Sequence, residues 1–315
     1  MKKRHWLWSL FIGAIFFSIS CSQAKTEKGK QETRLFGATY MTRNNPYFEI
    51  LNESIDEVVE ANGDVLIVRD PQQDQERQNQ QIHDMIEEGI EMLFLNPVDW
   101  KRVAPALEEC REAGVPIINV DTVVQRKDEV LAVIETDNYQ AGMECAKDLI
   151  RRLDHAEIVI LGSPIQTSIS DRVRGFKNTI KKEKGYKIVY EMAAEGEIEV
   201  AAEVMSEFLK KDISFNVVLG GNDPTALGAL AALQQYKMEE GVVVYGIDGS
   251  PDFKAMIALG HVTGTSAQSP KDIGKRAAQT AYRHLEGQPV IKHLKLPSTI
   301  ITKDNLEKYG TNGWQ

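Results

Sequence analysis

Amide and aromatic side chains stand together in the segment "TRNNPYFEI", residues 42–50, directly after the strand pattern "LFGATYM". Asn44 and Asn45 offer amides that donate and accept hydrogen bonds, while Tyr47 and Phe48 offer flat apolar rings. Amides beside rings at the carboxyl end of a strand suit the binding of a small polar molecule with an apolar face. The alternative is that rings at the start of a helix belong to the core.

Aspartates follow other predicted strands. Asp121 ends "PIINVD", Asp137 follows "VIET", and Asp248 ends "GVVVYGID". Such carboxylates can act as general acids and bases, or they can accept hydrogen bonds from ligand hydroxyls. The sequence contains no phosphate-binding loop, no Gly-x-Ser-x-Gly elbow, and no Ser or Cys with an obvious His partner. We therefore predict hydroxyl recognition and no enzymatic activity.

Composition narrows the partners and cofactors. A formal net charge of −9 over 315 residues argues against a nucleic-acid binder, because phosphate binding needs a clustered basic surface. The six histidines are scattered, and Cys110 and Cys145 lie in helical patterns typical of small buried hydrophobes. We expect no metal, no cofactor and no disulfide.

Strand and helix patterns alternate strictly after the first 33 residues, which predicts an α/β fold with parallel sheets and helices on both faces. The strand patterns are "LFGATYM", "DVLIVRD", "MLFLN", "PIINVD", "EIVILGS", "YKIVYEM", "NVVLGG" and "GVVVYGID". These are too many for one mononucleotide-type half, so we predict two similar lobes.

Several strand-to-helix junctions pair a polar residue with a proline. They are Asn45-Pro46, Asn96-Pro97, Asn222-Asp223-Pro224, Ser250-Pro251 and Ser269-Pro270. Each polar residue alone is explained as a helix cap, with proline in the first helical turn. Together they collect at the carboxyl ends of parallel strands, where open α/β sheets bind ligands. We predict a polar cleft between the lobes.

The first 33 residues differ from the rest. "MKKRH" is basic, and the apolar run "WLWSLFIGAIFFSIS" is short for a membrane span. "SISC", ending at Cys21, resembles the lipobox of bacterial lipoproteins, in which signal peptidase cuts before the cysteine and the cysteine thiol receives a diacylglyceryl group. We expect a signal peptide over 1–20 and a lipid-anchored tether over 21–33, which hold the mature protein in the cell envelope outside the cytoplasm. The alternative is an ordinary secretory signal with an incidental cysteine.

Eight ordered motifs across residues 35–301 resemble the ribose- and galactose-type periplasmic sugar-binding proteins, the substrate-binding components of ABC importers. The motifs are "NNPYF", "LNPVD", "INVDT", "ETDN", "SDRVRGF", "GGNDPTALGA", "YGIDGSPD" and "TSAQSP". The resemblance implies a monomer that encloses a monosaccharide (a pentose, hexose or related sugar) in a hinged cleft. It then delivers this ligand to the membrane subunits of an ABC importer.

The same resemblance implies a type I periplasmic binding protein: two similar lobes, each a parallel sheet flanked by helices, joined by three hinge crossings. The crossings are expected near 137–138, 268–269 and 297–299. The implied N-terminal lobe is 34–137 plus 269–297, and the implied C-terminal lobe is 138–268 plus 298–315.

The resemblance also implies which residues bind the ligand, through the motifs of this sequence that match those of the family. The implied ligand-binding residues are Asn45, Tyr47, Phe48, Asp121, Thr136, Arg172, Asn222, Asp248 and Gln268, with Asn96, Gln166 and Ser168 as additional candidates. Carboxylates, a guanidinium and amides in fixed positions match hydroxyls that both donate and accept.

Two positions depart from the ribose-type pattern. Thr122 stands where those relatives commonly have an arginine, and Gly196 stands where a second aromatic ring is expected. The sequence therefore does not predict which sugar is bound. A sensor that presents its sugar to a membrane signalling receptor would have the same fold and cleft. A lactose-repressor-type protein would need a helix-turn-helix where residues 1–33 read as a signal and tether.

Overall fold

Strands and helices alternate along residues 33–315, the part of the chain that the computed structural model describes. The expected signal peptide, the expected lipidation site at Cys21 and all but the last residue of the expected tether lie outside these residues. Within the described part, no helix combines the length and apolar character needed to cross a membrane.

The elements follow one another in the order that the alternating pattern predicts. The strands are β1 (Leu35–Thr39), β2 (Val65–Arg69), β3 (Met92–Leu95), β4 (Ile117–Val120), β5 (Ala132–Thr136), β6 (Ala156–Gly162), β7 (Tyr186–Ala193), β8 (Val217–Gly220), β9 (Val243–Asp248), β10 (Gly264–Ala267), β11 (His293–Leu296) and β12 (Thr299–Thr302). The helices are α1 (Pro46–Ala61), α2 (Gln75–Glu87), α3 (Ala104–Ala113), α4 (Asn138–Arg152), α5 (Thr167–Ile180), α6 (Ile198–Leu209), α7 (Asp223–Tyr236), α8 (Pro251–Leu259), α9 (Pro270–Leu285) and α10 (Leu306–Tyr309), with a 3₁₀ turn at Lys127–Glu129.

The strands form two six-stranded sheets. The first has the order β2-β1-β3-β4-β5-β11 and is parallel throughout. The second has the order β7-β6-β8-β9-β10-β12 and is parallel except for β12, which runs antiparallel to β10. The predicted α/β class with two similar parallel-sheet lobes is confirmed.

The chain passes between the two sheets three times, from β5 to α4, from β10 to α9 and from β11 to β12. Helix α9 packs on α1 and the first sheet, while α4 packs on α5 and the second sheet. The N-terminal lobe is therefore completed by a helix and a strand from late in the chain.

Burial explains the inner strands, and capping explains several helix starts. β3, β4 and β8 are buried along their whole length, as expected for parallel strands covered on both faces. Asn45, Asn222 and Ser250 each accept a hydrogen bond from a backbone N–H in the first turn of the following helix. Ser269 makes no such bond, and Asn96 does not precede a helix directly.

Candidate ligand-binding site

A small cavity lies between the lobes at the carboxyl ends of the strands. Its lining includes ten residues that the sequence singled out as ligand-binding: Asn45, Tyr47, Phe48, Asp121, Gln166, Ser168, Arg172, Asn222, Asp248 and Gln268. The cavity is also lined by Met41, Thr42, Ile169, Gly196 and Glu197.

Arg172 lies at the centre of the charged part of this cavity. Its Nη2 is 3.9 Å from Asp121 Oδ1, and its Nη1 is 3.6 Å from Asp248 Oδ1. Its Nε donates to Asn138 Oδ1 at 2.8 Å, and its Nη1 also donates to the Gly221 carbonyl oxygen at 3.0 Å. One guanidinium from the C-terminal lobe thus faces an aspartate from each lobe.

The position of Arg172 depends on close packing of α4 against α5. A β-carbon on Gly142 of α4 would lie 1.7 Å from the Arg172 carbonyl oxygen, a distance that no side chain can occupy. Glycine at this position therefore lets the backbone of α5 approach α4 and places the guanidinium over the ends of the strands.

Asp121 is buried and has a backbone φ of 58°, in the left-handed region that non-glycine residues rarely adopt. Its Oδ2 accepts hydrogen bonds from Asn96 Nδ2 at 3.1 Å and from the Thr122 hydroxyl at 3.3 Å. Its Oδ1 has no hydrogen-bond partner. Burial raises the pKa of this carboxyl group, although the charge of Arg172 acts in the opposite direction. A buried acceptor without a donor indicates a place for a ligand donor.

Asn96 lies behind this aspartate and does not line the cavity. Its side chain accepts from the Met41 N–H at 3.3 Å and donates to the Val120 carbonyl oxygen at 3.2 Å as well as to Asp121. These bonds hold Asp121 in position. The sequence could not separate this orienting role from direct contact.

Thr136 is also buried without lining the cavity. Its hydroxyl has no hydrogen-bond partner and lies near the phenol of Tyr47. It therefore stands beneath the wall of the cavity at the first crossing between the lobes.

A chain of hydrogen bonds links Asp248 to the opposite wall. Gln268 Nε2 donates to Asp248 Oδ1 at 2.7 Å, and the Tyr47 hydroxyl donates to Gln268 Oε1 at 3.3 Å. Burial raises the pKa of Asp248, and nearby Asp223 raises it further, while Arg172 lowers it. Gln268 thus connects both lobes at the second crossing.

Asp223 lies behind Asp248 and does not line the cavity. It is fully buried, and its carboxylate accepts from Thr265 Oγ1 at 2.7 Å and from the Ser250 N–H at 2.8 Å. The expected capping role belongs to Asn222, whose side chain accepts from the Thr225 N–H. Asp223 instead ties together the loop after β9 and strand β10.

The two rings of the opening motif line the cavity and also belong to the core of the N-terminal lobe. Phe48 stacks on Tyr40 with ring centroids 5.9 Å apart, and Tyr47 meets Phe48 edge to face at 5.3 Å. The core and ligand interpretations of these rings are therefore compatible.

The C-terminal tail reaches the same aromatic wall. Trp314 packs edge to face on Tyr47 with ring centroids 5.8 Å apart. Lys254 of α8 is buried, and its Nζ donates to the Gly313 carbonyl oxygen at 2.7 Å. The tail is thus held by the C-terminal lobe while its indole supports a residue of the N-terminal lobe.

Amides hold a tight turn where the ribose-type pattern places an aromatic ring. Glu195 and Gly196 both have positive φ, at 53° and 79°. The carbonyl oxygen of Glu195 accepts from Gln166 Nε2, and that of Gly196 accepts from Asn222 Nδ2, both at 2.9 Å. Glu197 then extends its carboxylate towards Gln73 of the other lobe, whose Nε2 donates at 2.5 Å.

The lobes are closed on each other in this structure. The hydroxyls of Thr122 and Ser168 lie 2.8 Å apart, and Thr167 Oγ1 accepts from the Val123 N–H at 2.8 Å. The backbone N–H of Trp100 donates to the Ile165 carbonyl oxygen at 3.2 Å, so Trp100 takes part in the contact between the lobes and does not line the cavity. A ligand in the cavity would therefore be enclosed by both lobes.

The polar groups of the cavity are suited to binding a small polar molecule. Carboxylates, amides and a guanidinium converge on one small space, and they offer acceptors and donors in fixed positions. Among the described residues, no cluster of three or more His, Cys, Asp or Glu side chains is arranged to hold a metal ion. Burial raises the pKa of both Cys110 and Cys145, which disfavours their reactive thiolate forms.

Comparison with known proteins identifies the family. Residues 36–289 match the periplasmic binding protein domain family. The chain is 28% identical over 280 residues to the ribose import binding protein of Bacillus subtilis, covering 88% of this chain and 90% of the relative. It is 30% identical over 265 residues to the ribose import binding protein of Escherichia coli, covering 83% and 88%.

A solved structure shows the same likeness in three dimensions. The ABC transporter solute binding protein of Mycobacterium smegmatis, solved with bound glycerol, superposes with a TM-score of 0.83 at 26% identity. The match covers 90% of this chain and 99% of that one. The fold, the cavity between two lobes and these matches agree that the chain belongs to the periplasmic binding protein family.

Proposed function

We propose that this protein is an extracytoplasmic solute-binding protein that captures a monosaccharide, a pentose, hexose or related sugar, and delivers it to an ABC importer. The observation that carries the proposal is the buried Asp121 Oδ1, which lacks a hydrogen-bond partner and faces Arg172 within a cleft closed by two lobes. The relatives named as ribose import binding proteins support this substrate class.

The chemistry of the cavity fits a sugar. Asp121 and Asp248 accept from hydroxyls, while Arg172 and Asn222 donate to them, and the rings of Tyr47 and Phe48 can pack on a face of C–H groups. We propose that the lining residues predicted from the sequence are the ligand contacts. Asn96 and Thr136 then act from behind the wall.

Binding is proposed to close the cleft by hinge motion at the three crossings between 34–137 plus 269–297 and 138–268 plus 298–315. The tail modifies this division, because Trp314 contacts Tyr47 of the other lobe. Family members are binding proteins, and we propose that this protein likewise binds its ligand without chemical change.

We further propose that residues 1–20 are removed and that Cys21 is lipidated, and that a monomer on this anchor meets the membrane subunits of the importer. A Cys21→Ala protein should lose labelling by a fatty acid and should leave the membrane fraction. Retained labelling would contradict the anchor without affecting the proposed ligand site.

A thermal-unfolding screen of the purified protein against pentoses, hexoses, ketoses and polyols tests the proposed function. A bound ligand stabilises the folded protein by about 2.7 kcal/mol at a hundredfold excess over its dissociation constant. The Asp121→Ala protein is the matched control and should lose this stabilisation. Unfolding temperatures that no sugar changes, or recovery of a chemically altered sugar after incubation, would contradict the proposal.

A further inference from the structure

The charges that line the cavity do not balance. Three acidic residues, Asp121, Asp248 and Glu197, line it together with a single arginine, Arg172. Among the described residues, no other charged side chain lines this space. With every group ionised, the lining carries an excess of two negative charges.

Arg172 does not remove this excess. Its charge is shared between the two aspartates at 3.9 and 3.6 Å, and its Nε and Nη1 already donate to Asn138 and Gly221. Glu197 makes its described side-chain hydrogen bond to the neutral amide of Gln73. The guanidinium therefore compensates at most one of the three carboxylates.

A turn held by side-chain hydrogen bonds places Glu197 at the cavity. The two preceding residues adopt left-handed conformations, and Gln166 and Asn222 fix their carbonyl oxygens. Asn222 also caps α7, so the turn is tied to a helix start. The half-buried carboxylate therefore occupies a defined position on the wall opposite the aromatic rings of the N-terminal lobe.

Carboxylates that lose water without gaining a positive partner are strongly disfavoured. Burial raises the pKa values of Asp121, Asp248 and Glu197, as expected for acids that are short of positive charge. Closure of the cleft therefore favours a ligand that brings a cation, and it disfavours an acidic one.

We propose that the ligand of this cleft carries a protonated amine besides its hydroxyls, as in an amino sugar or an amino-cyclitol, and that Glu197 helps to select it. The inference rests on the proposed function, because it assumes that this cleft binds a small polyhydroxylated molecule. An ammonium group offers three donors, and Asp121 Oδ1 and the Glu197 carboxylate are the acceptors available to it.

The experiment compares matched ligands by calorimetry on the purified protein, at a pH below the pKa of the sugar amine. The probes are glucosamine, galactosamine and mannosamine, each beside its neutral parent sugar and its N-acetyl derivative, which keeps the nitrogen but loses the charge. At least one amine should bind more than about tenfold tighter than its parent and its N-acetyl form. Glucuronate should not bind.

Two variants, each of which removes one carboxylate charge, test whether Glu197 is responsible for the preference for the amine. Glu197→Gln should reduce the preference for the amine over its parent by about tenfold. Glu199→Gln, an equal change at an exposed position of α6 outside the cavity, should leave that preference unchanged. Equal losses in both variants would overturn the role of Glu197.

The possible outcomes distinguish failure of this inference from failure of the proposed function. Tight binding of neutral monosaccharides together with weak binding of every amine would overturn the inference and leave the proposed function standing. Equal affinity for an amine and its parent sugar would also overturn the inference. The carboxylates would then be neutralised by protonation and not by a cation on the ligand. Failure of every sugar, charged or neutral, to bind the folded protein would overturn the proposed function itself.

Discussion

The two walls of the cleft are built on different principles. The N-terminal lobe presents Tyr47 and Phe48, whose rings are continuous with the core of their lobe. The C-terminal lobe presents Arg172 and Asn222, whose polar groups bond to carbonyl oxygens of neighbouring loops and helices. A change in the first wall should therefore disturb both folding and binding, whereas a change in the second should act mainly on binding.

The largest expected effect is on folding and comes from the aromatic wall. Phe48→Ala should lower the free energy of unfolding of the ligand-free protein by about 3–5 kcal/mol, because it leaves a cavity beside Tyr40 and Tyr47. Chemical denaturation measures this loss, and calorimetry on the remaining folded protein measures binding.

Phe253→Ala is the control for the aromatic wall. It removes a fully buried ring from the core of the other lobe, and Phe253 does not line the cavity. It should produce a similar loss of stability with less effect on affinity. Equal affinity in both variants would show that Phe48 serves the core alone.

The polar wall gives the next largest effect, and it falls on affinity. Arg172→Ala should weaken ligand binding by about 1.5–3 kcal/mol, or about ten- to more than a hundredfold. The reason is that the ligand loses a charged hydrogen-bond donor in the cavity. Arg174→Ala on the exposed side of the same helix should leave affinity unchanged. An Arg172→Ala protein with normal affinity would break the comparison between the walls.

Asp223 tests whether polar residues behind the second wall are structural. Asp223→Ala should lower the free energy of unfolding by about 1–3 kcal/mol, because the Ser250 N–H and the Thr265 hydroxyl lose their buried acceptor. Asp252→Ala, exposed in the first turn of α8, should change stability little. Binding that fell in Asp223→Ala without any loss of stability would place Asp223 in the binding wall.

The smallest expected effect lies at the contact between the lobes. Gln73→Ala should weaken ligand binding by about 0.5–1.5 kcal/mol, because its hydrogen bond to Glu197 joins the two lobes. Gln72→Ala is a matched control, since Gln72 has the same left-handed backbone but its side chain accepts a hydrogen bond from Arg77 of its own lobe. Equal affinities of the two variants would show that this bond contributes nothing to closure.

Much of this arrangement could be predicted from the sequence, because parallel strands bring their carboxyl ends to one edge. Alternating patterns placed Asp121 and Asp248 at such ends, and the polar-proline junctions placed Asn45 and Asn222 beside them. The two lobes follow from the number of strand patterns.

What escaped prediction depends on irregular backbone. Glu197 reaches the cavity through consecutive left-handed residues, and only the glycine at 196 hinted at such a turn. Met41, the last residue of the predicted strand pattern, and Thr42 line the cavity from the loop after β1, because the strand already ends at Thr39. Asn96 follows the same Asn-Pro pattern as Asn45, yet it orients Asp121, because the segment after it turns away before α3 begins.

The position of Trp314 also provides an intrinsic fluorescence reporter of lobe closure. Removal of the expected signal peptide would leave Trp100 and Trp314 as the only tryptophans. The indole of Trp314 touches Tyr47 while Lys254 holds its backbone neighbour to the opposite lobe. Separation of the lobes must therefore pull either the indole from the phenol or the tail from the lysine, and either change alters the surroundings of the fluorophore. In a Trp100→Phe protein, the emission of this single residue would follow closure in real time without any attached dye.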